Sequence, residues 1–473
     1  MPIVAKKVRG GASILMLLSL VLANLANLGI QLLIPRLLAP PEYTHFAMSW
    51  ASGQLVAAVL FEWLRIGVVR YSASSDDSRR LSETLGALYA TVFIIAGSLA
   101  GLLMLVGATG GAIFTSGFVL FYACAQGAFD GQQASLRAKF LNVRFSVTWM
   151  ARSVLSFALT MFAASAFASG RLALAALIGS FVVVSVFAGL PARRVCWPAR
   201  SNVLFLLKFG MFAAAAGIVS FALPLCARYA IVLFAGSSGS AGAVLAIEVA
   251  QKILMAFGTA INLVLFQSVI RRVGSEPKEG SRYMAGHLVN VVALFSLAMA
   301  VLVYINTFFV ARLVPQAFLD SYSKVSALAV LSIVLTCLKS YALDALFTLG
   351  GRTGYSVFTS MVSLIAFLLG CSVLYLGGWV GITSILVVLS ISLFTGLVLS
   401  AWFAIYRLSV DIPWAMLSRV FLVTVGVTAL IMLLAKLGGF PVQVVGIALI
   451  VSLILLGYRV LGVGGPRQWL GVS

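Results

Sequence analysis

The sequence predicts an all-α polytopic membrane protein of about 14 transmembrane helices, with its N- and C-termini cytoplasmic. Three observations carry this reading. Hydrophobic residues make up 62% of the 473-residue chain and charged residues 9%, where a soluble domain carries about a quarter charged residues; the mean hydropathy is +1.12. Apolar runs of roughly 18 to 27 residues recur from Ser13 to Leu461, enough for a helix to cross about 30 Å of hydrocarbon, whereas a barrel strand needs about 10 residues in strict alternation. The connections between these runs alternate between rich and poor in Lys and Arg, as the loops of a serpentine chain do.

In chain order the expected spans are 12–34, 43–65, 84–107, 112–133, 148–168, 172–191, 208–234, 243–269, 285–308, 323–349, 356–376, 379–402, 418–437 and 442–461. The first follows a basic start, Lys6, Lys7 and Arg9. It is too long for the apolar region of a secretory signal and no small-residue cleavage site follows, so it is read as a retained span. The third and fourth, the fifth and sixth, and the last two pairs are separated by very short Gly-containing turns and read as helical hairpins.

Orientation follows from the positive charges. Every second connection is basic: Arg70, Arg79 and Arg80; Arg137, Lys139 and Arg144; Arg193, Arg194 and Arg200; Arg271, Arg272, Lys278 and Arg282; Arg352; Arg407 and Arg419; Arg459 and Arg467. The opposite loops hold Arg36, Arg171, Arg312, Lys324 and Lys436. The net charge of +20 is thereby assigned to topology and to anionic lipid headgroups; nucleic acid is not needed to explain it.

Several function classes are disfavoured. No loop exceeds roughly 20 residues and none carries a phosphate-cradling Gly-rich motif, so neither a soluble catalytic domain nor ATP binding is expected. The two histidines, His45 and His287, lie near span ends, and Cys124, Cys196, Cys226, Cys337 and Cys371 show no paired metal-ligand spacing. No metal, cofactor or catalytic residue is expected. Many helices, short loops and a few intramembrane charges are the make-up of a secondary transporter or flippase.

Ionisable residues inside a bilayer face a bundle interior or an aqueous cavity. The basic ones within the expected spans are Arg65, Arg152, Lys208, Arg228, Lys252 and Lys339; the acidic ones are Glu62, Asp130, Glu248 and Asp344. In the eighth span Glu248, Gln251, Lys252, Thr259 and Asn262 form one polar stripe, with Glu248 and Lys252 spaced to pair across a turn. The tenth span repeats the pattern with Thr336, Lys339, Ser340 and Asp344. Lys252 and Lys339 lie deepest, and each requires either an internal partner or a bound anion. Arg228 lies near the outer end of its span; Arg65, Arg152 and Lys208 lie near basic-side ends, within reach of the interface by snorkelling. Asn24, Asn27 and Gln31 share a face of the first span, and Gln126, Asp130 and Gln133 share one in the fourth; such faces hold helices together or contact cargo.

After the first span comes Pro35-Arg36-Leu37-Leu38-Ala39-Pro40-Pro41-Glu42-Tyr43, followed by Phe46-Ala47. This resembles the arginine, leucine pair, glycine, proline, acidic residue and tyrosine signature of Wzx-type oligosaccharide-lipid flippases, within the multidrug/oligosaccharidyl-lipid/polysaccharide exporter superfamily. Ala39 stands where that family usually has glycine. Arg228 to Leu233, the short stretch from Ala235 to Ala243, and Ala246 to Ile253 resemble the family's seventh and eighth helices and form a weak repeat of the first two. The resemblance implies two six-helix lobes, 1–191 and 208–402, a cytoplasmic linker 192–207, and an added hairpin and tail, 403–473.

It further implies translocation of a polyprenyl-diphosphate-linked oligosaccharide repeat unit across a bacterial inner membrane by alternating access. Lys252, Lys339, Arg228, Arg152, Asn24, Asn27, Gln31 and Gln251 are then the candidate cargo residues. Glu248, Asp344, Asp130 and Glu62 are candidates for coupling to a proton or sodium ion, or for simple ion pairs. A polysaccharide polymerase and chain-length proteins are the implied partners. A peptidoglycan-precursor flippase, a drug or metabolite antiporter of the same superfamily, and a membrane-embedded polysaccharide polymerase stay open as alternatives.

Overall fold

The computed structural model describes residues 2–71, 78–107, 111–139, 141–187, 200–261, 265, 269, 280–437 and 440–463. Among them every regular element is helical, as a chain must be whose backbone amides lie in hydrocarbon and bond within their own segment. The helices are α1 (Pro2–Leu37), α2 (Pro40–Tyr71), α3 (Ser78–Val106), α4 (Ala112–Ala138), α5 (Asn142–Phe167), α6 (Gly170–Phe187), α7 (Arg200–Gly239), α8 (Ala241–Ile261) and α9 (Gly280–Phe308). After a short turn of helix, Val310–Leu313, come α10 (Gln316–Cys337, continued to Leu349), α11 (Gly354–Leu376), α12 (Ile382–Leu408), α13 (Trp414–Leu437) and α14 (Phe440–Val460).

Twelve of these are long and apolar enough to cross a membrane, counted over the described residues. The sequence reading expects fourteen spans, and a helix lies at each of them, α1 and α2 at the first two. α1 contributes the shorter apolar stretch Val21–Leu37, and α2 carries Glu42, His45, Gln54, Glu62 and Arg65 along its length. α2 buries Tyr43, Phe46, Trp50, Phe61 and Leu64 inside its own unit, so packing within the protein offsets its lower hydropathy. The chain is a multi-pass membrane protein.

Two compact units divide it, Met1–Leu225 and Cys226–Ser473, with the division falling inside α7. Pro224, one residue before that division, removes a backbone N–H from the helix interior. α7 is broken near its end at Gly236, whose φ of 72° is a left-handed conformation that side chains resist. The expected linker 192–207 is partly helical, since α7 begins at Arg200; the rest of it, and the predicted Asn262, lie outside the described residues.

In the first unit α2 packs on α4, α1 on α5, α3 on α4 and α5 on α6. The α2–α4 approach is close enough that a Cβ on Gly127 would come 2.2 Å from the Phe61 ring. Lipid offers little apolar driving force between helices, so close packing and interhelical hydrogen bonds hold the bundle. Ser156 and Ser180 bond at 2.6 Å across α5–α6, and Gln133 donates to Thr148 at 2.7 Å across α4–α5.

The second unit follows the same rule: Ser332 and Ser390 join α10 to α12 at 2.8 Å, and Ser400 donates to Thr359 at 2.9 Å between α12 and α11. The hairpin α13–α14 clamps onto α9 through a cluster that includes Ala293, Tyr304, Val420, Ile431, Ile450, Ile454 and Tyr458. Tyr458 donates to the Ala293 carbonyl at 3.0 Å, and Tyr304 to the Gln443 carbonyl at 2.9 Å. Exposed Tyr375 and Trp379 lie at one end of the α11–α12 hairpin, and exposed Trp402, Tyr406 and Trp414 at the other, where amphipathic rings favour the membrane–water boundary.

Candidate functional site

The two units treat their internal charges differently. In the second, Arg228 of α7 is only 2% exposed and forms a salt bridge with Glu248 of α8. Its second terminal nitrogen donates to Gln251 Oε1, one turn further along α8. Gln251 in turn donates to the Met255 sulfur at 3.5 Å. Glu248 therefore meets the arginine of the preceding helix, a partner that the i,i+4 spacing to Lys252 does not disclose. Lys252 itself is half-buried on α8.

Lys339 is as enclosed as Arg228, at 2%. Its Nζ lies 3.0 and 3.2 Å from the two carboxylate oxygens of Asp344 and 2.6 Å from Ser360 Oγ of α11. The deep cation thus has an internal partner on its own helix and a hydroxyl from the next. Ser356, Thr359, Ser360 and Ser363 recur at three, four and seven residues on α11 and are all buried; that polar stripe is a readable signal for Ser360 which a search for charges passes over.

In the first unit Arg152 of α5 is partly buried, and its guanidinium carbon lies 4.9 Å from the ring centre of Phe181, 5.6 Å from Phe129 and 5.9 Å from Trp149. Three rings from α4, α5 and α6 thus surround it with the negative faces of their π-systems. Its hydrogen bond to Ser153 is long, 3.4 Å, and its Nε has no hydrogen-bond partner among the described residues. No carboxylate lies within ion-pair distance of it among those residues. Asp130 accepts a 3.3 Å hydrogen bond from Gln126 on its own helix, again without a salt bridge among the described residues. Glu62 and Arg65 pair at 2.7 Å near the end of α2, with side chains 28% and 48% exposed.

The polar face of α1 separates in the structure. Gln31 is fully buried and accepts from the Tyr43 hydroxyl at 3.4 Å, Asn27 is half-buried and Asn24 is exposed. The α1–α2 signature also receives a structural account. Tyr43 is fully buried, and Glu42 Oε2 accepts the Gly170 N–H at 2.8 Å, so a carboxylate meets the positive end of α6. Gly170 approaches so closely that a Cβ there would lie 2.3 Å from the Glu42 carbonyl oxygen. The acidic residue and the tyrosine fix α2 to α1 and α6, a role of architecture.

Among the described residues no three His, Cys, Asp or Glu side chains gather as metal ligands. What the two units offer is cation and amide chemistry within helical bundles.

Solved structures of membrane proteins share this helical fold. The structure resembles the lipid II flippase MurJ in an inward closed conformation with a TM-score of 0.65 at 13% identity, covering 95% of this chain and 99% of that one. It resembles an inward-facing multidrug resistance MATE family transporter of the MOP superfamily with a TM-score of 0.57 at 15% identity, over 82% of this chain and 97% of the other. A third likeness is to a MOP superfamily transporter from Pyrococcus furiosus described as having a binding pocket of reverse polarity: TM-score 0.50, 16% identity, 84% and 94% coverage. By sequence the chain matches no family model and no curated protein. At these identities the likeness is one of fold.

Proposed function

We propose that this protein flips a polyprenyl-diphosphate-linked oligosaccharide repeat unit from the cytoplasmic to the outer leaflet of a bacterial inner membrane, by alternating access, for polysaccharide assembly. The observation that carries the reading is the fold likeness to a lipid II flippase over 95% of this chain and 99% of that one, joined to the Wzx-like Pro35 to Tyr43 segment. The charges add chemical sense. A lipid-linked diphosphate is anionic, and a low-dielectric, positively biased site concentrates anions.

Arg152 is the candidate contact for that cargo. It is partly accessible, it forms no salt bridge among the described residues, and its planar fork suits a diphosphate or a sugar carboxylate. Lys252 and Gln251 of α8, with Asn24 and Asn27 of α1, are further candidates; Arg228, Glu248, Lys339 and Asp344 are internally paired. Asp130 is the candidate for coupling to a proton or sodium ion, since it lies inside the first unit without a salt bridge among the described residues. Anionic lipids, a polysaccharide polymerase and chain-length proteins are the proposed partners.

Deletion of the gene should make a lipid-linked repeat unit accumulate on the cytoplasmic face of the membrane. Accumulation on the outer face would instead indicate a polymerase. A second reading, flipping of a peptidoglycan precursor, is favoured by the 0.65 TM-score to MurJ; it predicts that the accumulated lipid carries the peptidoglycan building block.

A further inference from the structure

Helix α10 changes its winding where its charges lie. After Cys337 it widens into a π turn, Leu338–Leu343, and resumes as α-helix over Asp344–Leu349. The Asp344 N–H donates to the Lys339 carbonyl, a bond spanning five residues. The same two residues share the ion pair, Nζ to Oδ2 at 3.0 Å. In an α-helix residues five apart are separated by about 140° around the axis, and their side chains face different directions. In a π turn residue i+5 stacks over residue i, because the backbone bond closes there. The ion pair thus spans the π turn, joining the same two residues as its backbone bond.

The surroundings are built to this register. His287 of α9 donates from Nε2 to the Tyr341 carbonyl within the turn at 3.1 Å, the carbonyl being an acceptor alone. The Tyr341 ring stacks on Phe295 at 5.9 Å and covers Gly258 of α8, where a Cβ would come 2.2 Å from the ring. Beyond the turn lie Leu346 and Phe347, both fully buried. Gly350 and Gly351, the latter at φ 67°, follow at the end of the helix.

We infer that the Lys339–Asp344 pair is a latch that holds α10 in π register, and that the anionic end of the cargo releases it by taking Lys339 from Asp344. Once released, α10 rewinds as continuous α-helix. Asp344–Leu349 then turns by about 100° and shifts by about 1.5 Å, one residue's worth of helix. Leu346 and Phe347 leave their packed positions, and the two glycines absorb the change, so a charge exchange becomes a repacking of the second unit. The trigger rests on the proposed cargo; the latch does not.

The test uses the full-length protein in lipid nanodiscs, with Cys124, Cys196, Cys226, Cys337 and Cys371 replaced and spin labels on L331C and T348C, both at exposed positions of the same helix. D344N should move the 331–348 distance by several ångström, on the order of the lateral shift of a side chain on a helix turned by one residue. The charge swap K339D/D344K should restore the distance. Farnesyl diphosphate, used as a soluble probe, should shift the parent protein toward the D344N distance, and farnesol should not. An unchanged distance in a folded D344N overturns the latch, as does a charge swap that keeps the D344N distance. A silent farnesyl diphosphate arm overturns the trigger. The accumulation of lipid-linked repeat unit after gene deletion reads the cargo separately, so failure of the trigger and failure of the transport reading are distinguishable.

Discussion

The first and second units contain similar kinds of charge in opposite states. In the second, Arg228 and Lys339 are sealed at 2% exposure against Glu248 and Asp344. In the first, Arg152 lies partly accessible among three rings, and Asp130 is bonded to an amide. A buried pair is a structural commitment: removing one partner strands a charge in low dielectric, whereas replacing both with apolar groups is often tolerated. A cation held mainly by aromatic faces, with one long bond to Ser153, keeps most of its hydrogen-bonding capacity for something else. The contrast says that burial of a charge is a poor guide to function until its partner is known.

The comparison can be broken by mutation, and the largest effect is expected at Arg228. Arg228→Ala breaks the buried ion pair with Glu248 and should cost about 3–5 kcal/mol, read as a large fall in thermal stability of the purified protein, while R228M/E248L should recover most of the loss. Next is Gly127→Ala, which drives a methyl group into the Phe61 ring; overpacking of this kind costs roughly 1–3 kcal/mol. Arg152→Ala should cost only about 1 kcal/mol in the same assay, the scale of a cation–π contact, and should lower polymer output far more than stability. Smallest is Arg65→Gln, which breaks the half-exposed pair with Glu62 and should change stability by about 0–1 kcal/mol. A larger stability loss in Arg152→Ala than in Arg228→Ala would invert the comparison.

Much of this architecture is legible in the sequence because a bilayer imposes length and hydropathy on each span and the Lys/Arg bias marks alternate loops. Helices α3 to α14 lie where apolar runs predict them. α1 and α2 lie on the first two predicted spans as well, and α2, the more polar of them, is held by its buried aromatic face. The deep position of Lys339 is readable from its place in the span, and Asp344 is visible as a neighbour, but the π turn that lets residues five apart meet is a backbone choice with no composition signal. The Arg228–Glu248 contact joins α7 to α8 across space, so spacing along α8 does not reveal it. The aromatic box around Arg152 draws on α4, α5 and α6, and no local pattern gathers Phe129, Trp149 and Phe181.

The central claim is that the cation left open in the first unit serves the cargo while the sealed Arg228–Glu248 pair of the second unit serves the fold. The most direct measurement is polysaccharide output in a deletion strain carrying Arg152→Ala or R228M/E248L, with membrane abundance of each protein matched to the parent. The account predicts that Arg152→Ala lowers output by about tenfold or more, the scale of one lost charge-assisted contact, while R228M/E248L retains most of it. Full output from Arg152→Ala at parental abundance would contradict it.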